Sequence, residues 1–146
     1  VLYVEDEETD VVLMRHAWKK VGLPNPLHVV HDGEQAIQYL RGEGEFSNRT
    51  AHPLPSLVLL DLKLPKVSGL EVLEWIRAQE SLHTLQVVML SSSNQPTDIH
   101  KAHALHANAY LIKPSNPTDL AELMVCIRDF WLIRAQVPPE CSQFGE

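Results

Sequence analysis

The stretch SLVLLDLKLP, residues 56–65, sets apolar residues side by side and then stops on an aspartate. VVMLSSS, residues 87–93, runs straight from apolar residues into serines. A strand with one wet face alternates apolar with polar; a strand apolar at every position must be covered on both faces, which is the signature of a parallel sheet. Short, mostly apolar runs without period-2 alternation stand at 1–4 (VLYV), 27–31 (LHVVH), 57–60 (LVLL), 86–90 (QVVML) and 109–112 (AYLI).

Between them lie longer segments of helical period. Residues 8–20 place Val11, Met14 and Trp18 on one face, with Val12 beside Val11, and end near Gly22 and Pro24. Asp32–Gly33 opens a helix striped by Ala36, Ile37 and Leu40. Residues 70–79 carry Leu70, Leu73, Ile76 and Arg77 on one side, and 96–106 read as helical. Pro117 to Ile133 reads as a helix with Asn116 as N-cap, Pro117 at its first position and Leu120, Leu123, Met124 and Ile127 as its inner stripe. Residues 42–56 are a long loop, an insertion or a functional flap. Strands alternating with helices make this an α/β chain with a parallel sheet and helices on both faces.

Composition narrows the function. A net charge of −7 does not suggest a nucleic-acid partner, and no apolar run approaches the roughly 20 residues of a membrane span. The chain opens directly on VLYV without a signal peptide, a start that suggests a few residues precede it. Two cysteines, Cys126 and Cys141, make no disulfide framework, so a reducing, cytoplasmic setting is expected. Cys126, Met14, Met89 and Met124 read as core residues.

Open parallel sheets bind ligands beyond the carboxyl ends of their strands. Those ends here carry Glu5–Asp6, Asp61, Ser91 and Lys113–Pro114. Each has a plain structural explanation: a helix-start acidic pair, a turn, loop polarity, and a strand terminator where a cis peptide would fit a tight turn. Together they suggest chemistry. Two like charges about 4 Å apart repel by roughly 4 kcal/mol at an effective dielectric near 20. A cluster of Glu5, Asp6 and Asp61 therefore needs a cation, and hard oxygen donors select Mg²⁺. Lys113 adds a fixed positive charge and Ser91 a hydroxyl. The set fits a phosphoryl group, which a carboxylate can attack.

The acidic pair Glu5–Asp6, LLDLKLPKVSGLEVL, VVMLSSS and NAYLIKP stand in this order, Ser91 thirty residues after Asp61 and Lys113 twenty-two after Ser91. In this the chain resembles the receiver domain of two-component response regulators, over about residues 1–130. The segment DFWLIRAQVPPE and the 42–56 loop further resemble small single-domain regulators that partner phytochrome-type histidine kinases.

The resemblance implies a receiver domain over 1–134 with a C-terminal tail at 135–146, and a five-stranded doubly wound sheet of flavodoxin-like order 2-1-3-4-5. It implies Asp61 as the phosphoacceptor, with Asp6, Asp61 and the backbone carbonyl of Lys63 as Mg²⁺ ligands and Glu5 acting directly or through a water. Lys113 would pair with phosphoryl oxygens, Ser91 would swing in to hydrogen-bond the group, the Ser92 N–H would donate to it, and Tyr110 would move from an outer to an inner rotamer. The donor would be a sensor histidine kinase. The chain itself is expected not to be an enzyme beyond phosphorylating and dephosphorylating itself.

Two alternatives stand beside this. A Mg²⁺-dependent aspartyl-nucleophile phosphatase would want a second aspartate two residues after the nucleophile, where this chain has Lys63. A phosphorylation-independent pseudo-receiver would not need Glu5, Asp6, Asp61, Ser91 and Lys113 together. Lys63, where many relatives have asparagine, is expected to overhang the phosphoryl group and slow its loss. His100, His103 and His106 step by three along one helix and so spread rather than converge, which suits an exposed face more than a metal site. His106 falls where the family commonly has glycine at a helix end, so a positive φ is expected there. Phe130, Trp131, Leu132 and Ile133 spread apolar surface around the last helix, so a homodimer through that helix, its tail and the fourth-helix and fifth-strand face is expected.

Overall fold

A computed structural model describes the chain over residues 1–134, with side chains as far as Leu132; the expected tail at 135–146, with Cys141, lies outside the described residues. The strands are β1 (Leu2–Val4), β2 (His28–Val30), β3 (Leu57–Leu60), β4 (Gln86–Ser91) and β5 (Ala109–Ile112). Every pairing is parallel, and the order is β2-β1-β3-β4-β5, as the sequence led us to expect. The helices are α1 (Glu8–Val21), α2 (Gly33–Arg41), α3 (Gly69–Ala78), α4 (Pro96–Ala104) and α5 (Pro117–Ile127), the last continuing as a π-helix over Arg128–Arg134.

Strand residues alternate between two covered faces. Leu2, Val4, Val58, Leu60, Val87 and Met89 pack with residues of α2, α3 and α4. Tyr3, Leu57, Leu59, Val88 and Leu90 pack with residues of α1 and α5, including Met14, Trp18, Leu120, Met124 and Ile127. Burying one such side chain contributes about 1.5–3 kcal/mol, so polar residues are tolerated only where cover runs out, at the strand ends. The chain leaves β1 toward β2 on one side and β3 on the other, which opens a crevice at the carboxyl ends of β1 and β3.

Local chemistry fixes the helix ends. Asp32, Ser68 and Asn116 cap α2, α3 and α5 by accepting from Gln35 N (2.7 Å), Glu71 N (3.3 Å) and Asp119 N (2.8 Å). His106 does adopt a left-handed backbone (φ 65°), two residues after α4 ends; Lys66 does so too (φ 68°), which the sequence had not flagged. Gly69 is required for another reason: a Cβ there would lie 2.0 Å from the carbonyl oxygen of Asp61. The start of α3 is thus pressed against the backbone of the expected acceptor.

The 42–56 loop is pinned rather than open. Phe46 is buried, and Arg49 donates to the carbonyls of Tyr39 (2.7 Å) and Leu40 (2.8 Å), closing the end of α2. Tyr39 Oη donates to Pro53 O (2.9 Å), and the rings of Tyr39, Phe46 and His52 meet tilted or edge-to-face with centroids 5.1–5.8 Å apart.

Three expectations are corrected. Val12 is exposed, because the buried stripe of α1 runs through Val11, Met14, Ala17 and Trp18. Cys126 is exposed, not core: it lies about 200° around α5 from the buried Met124, at about 100° per residue. No cis peptide occurs among the described residues, so the Lys113–Pro114 bond is trans.

Candidate functional site

The strand ends stand level. Glu5 N donates to Val30 O (3.0 Å), Asp61 N to Val4 O (3.2 Å) and Lys113 N to Ser91 O (2.7 Å). Carboxylate oxygens of Glu5, Asp6 and Asp61, one from each, lie within 4.8 Å of one another. Glu5, Asp61 and Ser91 are buried and Asp6 is exposed, so the cluster has a closed floor and an open mouth. Its donors are all hard oxygens, which fit a small divalent ion and not a soft metal.

Lys113 lies across this cluster. Its Nζ donates to Glu5 Oε1 and to Asp10 Oδ2 (3.2 Å), and stands 3.7 Å from Asp61 Oδ2. Asp61 Oδ1 accepts from Leu62 N (2.8 Å). Burial pushes the Asp61 carboxyl up to about 7, opposed by the Lys113 charge and reinforced by Glu5. Burial alone would lower the Lys113 ammonium, but its hydrogen bond to Glu5 and the charges of Asp61, Glu5 and Asp10 raise it on balance. One ammonium facing three carboxylates leaves net negative charge, which a cation would offset.

Ser91, Ser92 and Tyr110 lie on the β4 and β5 side of the cluster, and Lys63 in the loop after β3. Ser91 Oγ accepts from Ser93 N (3.2 Å), Ser93 Oγ donates to Asp98 Oδ2 (2.5 Å), and Tyr110 Oη donates to Ser93 O (2.8 Å). Ser93 therefore joins the two expected switch residues. Ser92 and Lys63 are exposed, with no side-chain hydrogen bond to the cluster. His100, His103 and His106 are exposed and form no metal-ligand cluster among the described residues. Reading the sequence missed Asp10, Ser93, Tyr3 and Gly69. Asp10 left a faint signal, an acidic residue in the first turn of α1.

A model of the response regulator receiver domain family matches residues 1–125. FilR2 of Methanothrix harundinacea, a regulatory protein named for methanogenesis, is 37% identical over 90% of this chain and 83% of its own length. The response regulator Rcp1 of Synechocystis is 36% identical over 94% of this chain and 92% of its own length. A crystal structure of Rcp1 in its Mn²⁺-bound form covers 94% of this chain and 97% of that one with a TM-score of 0.84. The phosphorylated cyanobacterial phytochrome response regulator RcpA is 38% identical, covers 94% of this chain and 96% of that one, and gives a TM-score of 0.86.

A five-stranded parallel sheet of this order, with an acidic crevice at its switch point, is the receiver fold. The chain belongs to the response regulator receiver domain family. Members of this family work with histidine kinases and bind a divalent metal at an acidic site. No helix among the described residues is long and apolar enough to cross a membrane.

Proposed function

We propose that Asp61 is the phosphoacceptor of a two-component phosphorelay. An Asp61 carboxylate oxygen attacks the phosphorus of a phosphohistidine on the partner kinase; the P–N bond breaks, its electron pair returns to the imidazole, and an aspartyl phosphate remains. The observation that carries this reading is the pairing of Asp61 with Lys113 at 3.7 Å inside a cluster of three carboxylates.

Asp6, Asp61 and the Lys63 carbonyl, with Glu5 directly or through a water, would hold Mg²⁺, which supplies neutralisation of phosphoryl oxygens when bound. Lys113 pairs with one of those oxygens. Ser91 and the Ser92 N–H donate to the group, and Tyr110 follows Ser91 inward through the Ser93 linkage, changing the α4 and β5 surface. Lys63, exposed beside the acceptor, overhangs the phosphoryl group and slows its loss.

The kinase is of the phytochrome type, by likeness to RcpA, and the regulator signals in the cytoplasm through protein contact. Exposed Phe130 and Ile112 supply apolar surface for a homodimer, which sedimentation with and without a phosphoryl mimic would reveal. The deciding experiment is labelling by a phosphohistidine kinase or an acyl phosphate. Wild type takes up label only with Mg²⁺, and Asp61→Asn takes up none. Undiminished labelling of Asp61→Asn ends the assignment.

A further inference from the structure

β1 contains one residue whose chemistry packing does not require. Tyr3 is 1% exposed in an apolar cluster, where phenylalanine would fill the same ring volume. Burying a hydroxyl is costly unless it finds a partner. The Tyr3 hydroxyl has one, Glu5 Oε1 at 3.1 Å. Glu5 directly follows β1 and its N–H extends the ladder to Val30 O, so it lies on the same face as Tyr3 two residues before it, and the ring brings its hydroxyl up beneath the acidic cluster.

Glu5 is 0% exposed and its oxygens are differently occupied. Oε1 accepts from Tyr3 Oη and from Lys113 Nζ; Oε2 accepts from Glu7 N (3.2 Å). A carboxylate oxygen has two lone-pair sites, so Oε1 is filled and Oε2 keeps one. The terminal torsion of a glutamate is broad and does not by itself hold the carboxylate in one orientation. Nor is Lys113 held by Glu5 alone, since Asp10 and Asp61 compete for it at 3.2 and 3.7 Å.

We infer that Tyr3 is a positioning residue: its hydroxyl fixes the Glu5 carboxylate so that Oε1 holds Lys113 beside Asp61 while only Oε2 remains to take a cation or its water. The inference rests on the phosphoacceptor reading, since it concerns the same site. It adds a group that touches neither phosphoryl nor cation and acts through Glu5.

The test uses Tyr3→Phe, Glu5→Gln and the double variant in the full chain. Mn²⁺ affinity is measured by calorimetry, and labelling of Asp61 by an acyl phosphate is measured at saturating Mg²⁺. Groups that orient metal ligands typically cost 10–100-fold when removed, so Tyr3→Phe should bind Mn²⁺ about tenfold more weakly and label about tenfold more slowly. In the Glu5→Gln background the same change should alter either quantity less than about twofold, because the carboxylate it acts through is gone. Mn²⁺ affinity within about twofold of wild type, or an equal loss in both backgrounds, overturns the inference. If wild type takes no label on Asp61, the phosphoacceptor reading fails, while the Mn²⁺ titrations still decide the role of Tyr3. Should Tyr3→Phe not fold, the wild type serves: its Tyr3 hydroxyl proton, followed by NMR, shifts as Mg²⁺ is added, and an unmoved resonance overturns the inference.

Discussion

Each end of the sheet holds a long cationic side chain among oxygens, and the two ends do opposite things with it. At the carboxyl end Lys113 meets Glu5, Asp10 and Asp61, all carboxylates. At the amino end Arg77 meets neutral oxygens: Nε donates to His106 O (3.0 Å), Nη1 to His83 O (3.0 Å) and Leu85 O (2.6 Å), and Nη2 to Asn108 Oδ1 (2.9 Å). Burial lowers the Arg77 pKa, whereas the surrounding carboxylates raise that of Lys113. Arg77 ties four neutral oxygens together, joining α3 to the turns before β4 and β5. Lys113 leaves an excess of negative charge unresolved. A cation that completes its surroundings holds the fold together; one outnumbered by carboxylates marks where something must still bind.

The largest expected effects come from removing each cation. Lys113→Met should slow labelling of Asp61 by about 10²–10³-fold, the usual cost of losing a donor aimed at developing charge. Arg77→Met should leave the labelling rate per folded molecule unchanged and cost about 1–2 kcal/mol of stability, chiefly because the part-buried Leu85 carbonyl loses its donor. Denaturant titration and labelling on the same samples separate the two. If both variants lose stability alone, or both lose labelling alone, the contrast between the ends collapses.

A pH-dependent effect sharpens the comparison. The folded Asp61 carboxyl is raised from 3.8 to about 7. The native state therefore holds the proton more tightly than the unfolded chain. Its contribution to stability is complete below 3.8 and disappears as pH rises through about 7. A divalent cation needs the ionised form and competes with that proton. At a concentration 100 times its Kd it should add about 2.7 kcal/mol at pH 8, or about 8 °C in Tm, and much less at pH 5. His28, lowered by burial, destabilises the fold on acidification, but it cancels in the difference with and without Mg²⁺. Asp61→Asn should flatten the pH dependence of that difference, whereas Arg77→Met should retain it. Equal shifts at both pH values would show that the cation sits elsewhere.

The layout of the site could be read from sequence because doubly covered strands have no alternation to hide behind. When LVLL stops at Asp61 or VVML at Ser91, the polar residue can lie only at the rim. What sequence reading missed involves contacts between distant segments. Arg77, read as one member of an apolar helix face, reaches oxygens up to 31 residues away. Asp10 lies 103 residues from the lysine it holds. Tyr3 sits inside an apolar strand, and only the fold shows that its hydroxyl emerges beneath Glu5. Cys126 was misplaced by a smaller error, an angular one, since helical phase must be followed residue by residue from Leu120, Met124 and Ile127.

The smallest effect concerns the turn that Arg77 braces. His106 holds φ 65° after α4, where its N–H bonds to His103 O (3.0 Å) and Ala107 N to Ala102 O (3.0 Å). A side chain in the left-handed region costs about 1–2 kcal/mol. Glycine avoids that cost but loses about 0.5–1 kcal/mol more backbone freedom on folding. His106→Gly should thus gain about 0.5 kcal/mol, or one to two degrees in Tm. The Arg77 bond to the His106 carbonyl should survive, since it uses backbone alone, and labelling of Asp61 should not change. Gly22 provides the counterpart at φ 73° with open space around its Cα, so Gly22→His should lose about what His106→Gly gains. If His106→Gly lowers Tm instead, the imidazole itself contributes to the fold, and the amino end of the sheet is held by more than the bonds Arg77 makes to neutral oxygens.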